Sequence, residues 1–296
     1  MGKAKRIRMS NARRLVDDVI RVANGMPLAS LVRELELQGL CELRRKVRPR
    51  ISWNVLMMKA YGIVSAQMPE LRRSYVALPR PHFYEHHKTV CMLTMSREYQ
   101  GEQRLFFARF GQPEEHSLVQ LQERFDFLRK APIEQIPQFK AQLRFAAAPW
   151  PIRRSIWWGM SHLWPAKRAS HMGTFGMSLS GHKDSYGTQL LSPCTTSIGV
   201  DARPRKGISK LLLTFDHRVL DGVPATIVNE KLYFQLTRPI TRELKDMLDA
   251  NSIEERQSEA DSSDIIPFAP QGRIGASRDQ LQSHPSNGEQ RQKKCA

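Results

Sequence analysis

Residues 210–222 read KLLLTFDHRVLDG. From Leu211 to Phe215 the residues are apolar with little alternation, whereas a strand with one wet face alternates apolar and polar positions. A continuous run predicts a strand buried on both faces. Such a strand needs neighbours on both sides and helices over the sheet, so the chain must form a layered domain. The run ends on Asp216 and His217, and four residues after the histidine Asp221-Gly222 turns the chain sharply into a helix. Ala225, Val228, Leu232 and Leu236 mark the apolar side of that helix. A histidine at a strand end is held by rigid backbone. With an ordinary pKa of about 6.5 it is substantially neutral at pH 7, as a general base must be. The other eight histidines are scattered or lie in loops.

The remaining apolar spacing fills in that domain. A helix is predicted over 11–23, capped by Ser10, with Leu15, Val19 and Val22 on one face and Arg13 and Arg14 in its first turns. A short strand and a helix follow between Met26 and Lys46, then a helix over 53–67 that Pro69 ends. Strands at 89–95 and 104–110 flank a polar, glycine-containing connection, SREYQGEQ, suited to an antiparallel turn. Leu118, Leu121, Phe125 and Leu128 mark another helix, and further strands are expected near 174–180 and 195–200. Helices and strands mix without strict alternation, which favours an α+β fold with helices packed on a largely antiparallel or mixed sheet. From about Asn251 the sequence is rich in Ser, Gln, Glu and Arg and poor in core-formers, so 251–296 is expected to be a disordered polar tail after a domain of about 250 residues.

Charge narrows the partners. The 296 residues are 41% hydrophobic, an ordinary core composition, yet carry a net charge of +17. Thirteen bases face five acids in residues 1–50, and 135–183 has no acid but seven bases. Nucleic acid, anionic lipid or a phosphate-bearing ligand would each use this excess. No helix-turn-helix, zinc-finger or RNA-binding aromatic signature accompanies the basic runs 3–8 and 44–50, which disfavours nucleic acid. The four cysteines, Cys41, Cys91, Cys194 and Cys295, are far apart, pointing to a reducing cytoplasm rather than a disulfide framework. No window of 18 apolar residues exists, and Arg6 stands where a myristoylation site after Gly2 would need Ser or Thr. His82, Glu85, His86 and His87 have the composition of a metal cluster, but adjacent histidines in an extended chain point to opposite faces, so no metal site is expected.

The segment Asp216-His217-Arg218-Val219-Leu220-Asp221-Gly222 resembles the signature of the catalytic domain of the 2-oxoacid dehydrogenase acyltransferases, the dihydrolipoamide acyltransferases, and more distantly chloramphenicol acetyltransferase. Gly173-Thr174-Phe175-Gly176-Met177-Ser178 resembles a second element of that family, a GTF strand with a serine three residues on. A third is the opening helix with Arg13-Arg14, then Ile51-Ser52-Trp53-Asn54 leading into Met57-Met58-Lys59-Ala60, and Pro69-Glu70-Leu71. Together, in order, they cover about residues 10–248. The resemblance implies a chloramphenicol acetyltransferase-like fold assembled as a homotrimer, with coenzyme A or acyl-CoA as cosubstrate. It implies direct acyl transfer, in which His217 deprotonates a thiol or hydroxyl acceptor and Ser178 donates to the oxyanion. Asp221 would hold the loop by pairing with Arg13 or Arg14, supported by Gly222, and the histidine and the serine of one site would come from different subunits.

The sequence also departs from the family. Nothing resembling a lipoyl or subunit-binding domain precedes residue 10, so no covalent lipoyl group is expected on this chain, and an acceptor could be a separate lipoyl or carrier protein. Ser178 and His217 are closer in sequence than the family would have them, and SREYQGEQ replaces a Thr-Pro-Arg-Gly connection. Residues 131–172 form a longer link than the family's and hold Trp150, Trp157, Trp158 and Trp164. With Arg153, Arg154, Lys167 and Arg168 among them, residues 150–168 suit peripheral contact with a lipid headgroup boundary or a cover over a long acyl chain. Otherwise they form an inserted helix with its tryptophans buried and its bases solvated. The competing function is an inactive trimeric scaffold of the same fold, using its basic surface to hold an anionic membrane or nucleic acid.

Overall fold

The computed structural model describes residue 4 and residues 9–180, 192–201 and 207–263; the N-terminal basic run and most of the polar tail lie outside the described residues. Residues 1–254 form one compact unit and 255–296 a second, of which only the end of a helix is described.

The LLLTF run is where the sequence placed it. Strand β8 (Ile208–Asp216) lies between β1 (Leu28–Glu36) and β7 (Thr196–Asp201), antiparallel to both. Residues 211–216 are all buried. The six-stranded sheet runs β1-β8-β7-β6-β4-β5, where β4 is Val90–Tyr99, β5 Glu102–Gly111 and β6 Phe175–Ser180. Strands β4, β6 and β7 are parallel and the other neighbours antiparallel, so the sheet is mixed. The connection expected between β4 and β5 is mostly strand. Pairing continues to Tyr99 and Glu102, leaving Gln100 and Gly101 at the tip with φ of 54° and 74°, the left-handed pair that a two-residue hairpin requires.

Helix α1 (Asn11–Asn24) is capped by Ser10, and α2 (Gln38–Lys46) follows β1. Helix α3 (Trp53–Gln67) is buried on nearly all sides, which its apolar composition demands. Between α3 and β4 a two-stranded sheet pairs β2 (Arg73–Val76) with β3 (His82–Glu85), strands too short to be read from the sequence. Helix α4 (Leu118–Lys130) opens with a capping box from Ser117 and Gln120. Helix α8 (Gly222–Gln235) continues through a π-turn at Leu236–Ile240 into α9 (Thr241–Ser263). The polar tail expected from residue 251 therefore begins inside a helix. Leu56, Val64, Leu93, Phe175, Leu213 and Val228 join α3, α8 and one face of the sheet in a single core.

The long link is three helices, α5 (Pro137–Ala147), α6 (Trp150–His162) and α7 (Pro165–Met172). Strand β5 is an edge, whose free N–H and C=O groups would otherwise invite another chain. Helix α5 covers it: Phe107 N–H donates to Gln142 Oε1, Arg109 N–H donates to Gln138 Oε1, and Gln142 Nε2 donates to Phe107 O. In α6 and α7 neither the tryptophans nor the bases fall on one side: Arg154 and Lys167 are exposed and Trp157 is partly buried. Trp150, Trp158 and Trp164 are about half exposed, whereas Arg153 and Arg168 are buried at 4% and 5% exposure. Arg153 is turned inward by a carboxylate: its Nε and Nη2 donate to Asp18 of α1 at 2.8 and 3.2 Å, and Nη1 donates to the carbonyls of Ala146 and Ala148. Among the described residues no helix is long and apolar enough to cross a membrane.

Candidate active site

The turn after β8 is braced before it reaches the histidine. Asp216 is 1% exposed. Its carboxylate takes a fork from Arg218, Nε to Oδ1 at 2.9 Å and Nη2 to Oδ2 at 2.7 Å, together with Arg218 N–H. The same guanidinium lies 4.3 Å from the ring centroid of Tyr75, just ahead of the β2–β3 turn. A bidentate pair at a buried carboxylate is among the stronger polar contacts. His217 N–H donates to Pro27 O at 2.8 Å, which ties the turn to the end of α1. Asp216 and Arg218 flank the histidine in the motif, yet their bracing role has no separate signal in the sequence.

The imidazole itself is left outside, with its side chain 53% exposed and Nδ1 3.4 Å from Asp221 Oδ1. Asp221 occupies the N-cap position of α8, but its side chain makes no capping bond. A carboxylate facing Nδ1 favours the tautomer with its proton there and leaves the lone pair on Nε2, the arrangement a general base needs. Gly222 is the first residue of α8, with open space where a Cβ would stand.

Arg13 and Arg14 do not reach Asp221 within the chain. They lie in the first turn of α1, beside Glu102–Leu105 and Tyr99–Gln100 respectively, at the β4–β5 hairpin. The end of α1 near His217 is some 11 residues further on, about 16 Å at 1.5 Å per residue. The contact that Asp221 makes instead is His217.

The GTF element has a structural explanation for each letter. Gly173 has φ of 83°, and a Cβ there would sit 2.9 Å from Val90 O. Thr174 N–H and Oγ1–H both donate to Val90 O, and Thr174 Oγ1 accepts from Val90 N–H, setting the start of β6 against β4. Phe175 is fully buried against Tyr61, ring centroids 4.8 Å apart. Ser178, three residues on, is partly exposed. It pairs across β7 through Gly199 to Leu212 of β8. His217 lies five residues beyond Leu212, which is roughly 17 Å along the strand, and two strand spacings add about 10 Å sideways. Ser178 and His217 of one chain are therefore about 20 Å apart, far beyond the contact an oxyanion donor requires.

Three of the four residues with metal-like composition are otherwise engaged, and His87 is exposed. His86 is buried, with Nε2 3.0 Å from Ser74 Oγ, and burial, reinforced by Arg168 and His87, lowers its pKa to about 4. Glu85 pairs with Arg73 at 3.0 Å, and His82 Nδ1 lies 2.7 Å from Arg80 O.

The architecture is that of the catalytic cores of 2-oxoacid dehydrogenase acyltransferases. The chain is similar to a probable dihydrolipoamide acetyltransferase from Listeria monocytogenes 4b F2365, with TM-score 0.55 and 16% identity over 79% of this chain and 95% of that one. It is also similar to the catalytic core of the 2-oxoacid dehydrogenase complex from Thermoplasma acidophilum, with TM-score 0.57 and 16% identity over 80% and 99%. The dihydrolipoamide acetyltransferase of Azotobacter vinelandii matches at TM-score 0.55 and 15% identity over 81% and 94%; there a serine, a histidine and an asparagine four positions after it are described in the catalytic mechanism. No protein-family model and no curated protein matches the sequence.

Proposed function

We propose that the chain is an acyltransferase that moves an acyl group from a coenzyme A thioester to a thiol or hydroxyl acceptor without a covalent enzyme intermediate. The observation that carries this reading is the exposed imidazole of His217 on a braced strand end, with Asp221 at Nδ1. In the Azotobacter enzyme the asparagine stands four positions after the histidine, the spacing of Asp221 from His217 here. Nε2 takes the acceptor's proton as the acceptor attacks the thioester carbonyl. The tetrahedral oxyanion collapses to the new ester or thioester, and the departing thiolate receives the proton from the imidazolium. Ser178 donates a hydrogen bond to that oxyanion from a second copy of the chain, since its own copy holds it about 20 Å away. A homotrimer, in which each interface pairs one His217 with the next copy's Ser178, satisfies this requirement.

The test is thiol release from a panel of acyl-CoAs with candidate acceptors, dihydrolipoamide included. His217→Ala should slow transfer by roughly 10²–10⁴-fold and Ser178→Ala by roughly 10²–10³-fold. Mixing the two inactive variants under conditions of subunit exchange should restore activity at about a quarter of interfaces, because each supplies the group the other lacks. Equal rates in wild type and His217→Ala would refute the mechanism. Absence of any recovery on mixing would refute the shared site.

A second reading concerns the membrane. Trp150, Ile152, Trp158, Leu163 and Trp164 are all 47–53% exposed on α6 and the turn into α7. Arg154 and Lys167 lie among them, and no acid falls between 135 and 183. Aromatic side chains with cations suit the headgroup layer of an anionic bilayer. Sedimentation with phosphatidylserine vesicles, lost at high salt and in Trp158→Glu/Trp164→Glu, would support it. Equal recovery with neutral vesicles would count against the charge argument, and vesicle binding without acyl transfer would favour the scaffold over the enzyme.

A further inference from the structure

A cavity of about 450 Å³ opens between the C-terminal half of α1 and α6, with Tyr75, Arg168 and Arg218 on its inner side. Most of the arginines around it are accounted for. Arg21 pairs with Asp17, Arg153 with Asp18 and Arg218 with Asp216. Two cavity-lining guanidiniums remain. Arg154 lies over the Trp150 ring at 5.1 Å, and Arg168 donates to the carbonyls of Tyr75 and Pro193 at 3.2 and 2.8 Å. Among the described residues neither has a carboxylate within salt-bridge distance. Arg168 is 5% exposed. Arginine does not shed its proton, and the carboxylate that acts on it through space, Asp216, is already forked by Arg218, so its buried charge is only partly offset, which is costly. Of its five N–H donors, two are used by those carbonyls, and the other three have no hydrogen-bond partner among the described residues.

We propose that this cavity binds a phosphate monoester carried on an aromatic or apolar body, with Arg154 and Arg168 as the cationic contacts and Trp150 and Trp158 as walls. Two unpaired guanidiniums match a dianion better than a single carboxylate, and the planar fork of arginine fits phosphate oxygens. The indoles offer flat apolar surface to the body of the ligand. Arg218, which lines the same cavity, is the residue after His217, although the imidazole itself does not line it; we take the molecule held here to extend from the cavity to the base. That last step rests on the acyl-transfer reading; the binding itself does not.

The experiment is a titration of the full chain with phenyl phosphate, inorganic phosphate and benzoate at low ionic strength, read by tryptophan fluorescence. A saturable change with phenyl phosphate is expected, tighter than with inorganic phosphate and at least about tenfold tighter than with benzoate. Arg154→Gln should weaken it by about tenfold, the loss expected for one charge-assisted contact. Arg168→Gln should do the same; because that side chain also staples two carbonyls, Trp158→Ala serves as the second variant if Arg168→Gln fails to fold. His217→Ala should bind as wild type does, even where transfer is lost, so failure of the catalytic reading is separable from failure of the site. Competition by coenzyme A would assign the phosphate to the acyl donor, and binding unaffected by coenzyme A would assign it to the acceptor. No saturable change in wild type, unaltered affinity in Arg154→Gln, or benzoate equal to phenyl phosphate would overturn the proposal.

Discussion

The ion pair between Asp18 and Arg153 joins α1 to the three-helix link, and its strength can be set against its surroundings. The side chains of Arg153 and Asp18 are 5% and 7% exposed, and two N–H donors of the guanidinium meet the carboxylate. An exposed pair of this kind contributes about 0–1 kcal/mol. Removing one partner of a buried pair instead costs about 3–5 kcal/mol, because the other charge stays buried and unpaired. Arg153→Met strands the Asp18 carboxylate and also removes the donor that serves the Ala146 and Ala148 carbonyls, so the upper part of that range is expected. Asp18→Leu strands the guanidinium but leaves those carbonyls served, and should cost less. In the double variant both charges are gone, and it should cost about 2 kcal/mol less than the sum of the two single variants, a coupling energy of that size. Urea unfolding by linear extrapolation measures all three, with an unchanged slope showing that the denatured state is unaltered. Single-variant costs below about 1 kcal/mol that simply add would refute the view that this pair is the buried anchor of α6.

Three further outcomes rest on other contacts of the fold. With the folded-state pKa of His86 lowered to about 4, neither state is protonated above the ordinary value near 6.5 and the residue costs nothing there. As pH falls from 6.5 to 4 the unfolded chain takes a proton that the folded chain refuses, so stability drops by about 3 kcal/mol and then levels; His86→Gln should flatten that part of the pH profile, and identical profiles would exclude the histidine as its cause. Gly173→Ala places a Cβ 2.9 Å from Val90 O at φ of 83°, and urea unfolding should show a loss of about 1–3 kcal/mol, a loss under about 0.5 kcal/mol counting against the close approach. Glu243 accepts from Lys59 Nζ at 2.6 Å and from Leu118 N–H at 2.9 Å, so Glu243→Ala should cost about 1–3 kcal/mol, whereas a neutral outcome would mark the contact as solvent-screened.

The fold was legible wherever a local pattern reported burial. A continuous apolar run at 211–215 reads as an inner strand, and Ser10 and Pro69 mark helix boundaries by backbone chemistry that needs no tertiary partner. The β2–β3 pair escaped because four residues a side carry too little periodicity, and their pairing depends on a long-range register. The β4–β5 connection was read as longer than it is because polar residues on an exposed hairpin end resemble a loop.

His217, Asp221 and the GTF element were visible as residues because strand ends and tight turns demand particular side chains over short distances. How they stand to one another was not. The distance from Ser178 to His217 is set by strand order and register, so it took the sheet to put them about 20 Å apart within one chain and to leave Arg13 and Arg14 at the far end of α1. Composition likewise left two readings of 150–168, tryptophans at a lipid boundary or tryptophans buried with the bases solvated, and neither put Arg153 and Arg168 inside, since hydropathy assigns each residue type a side without knowing its partner. Asp18, 135 positions from Arg153, and the carbonyls of Tyr75 and Pro193 reverse that assignment. A sequence carries the periodicities that place single elements; a buried charge is admitted or refused only by the groups that the folded chain brings to it.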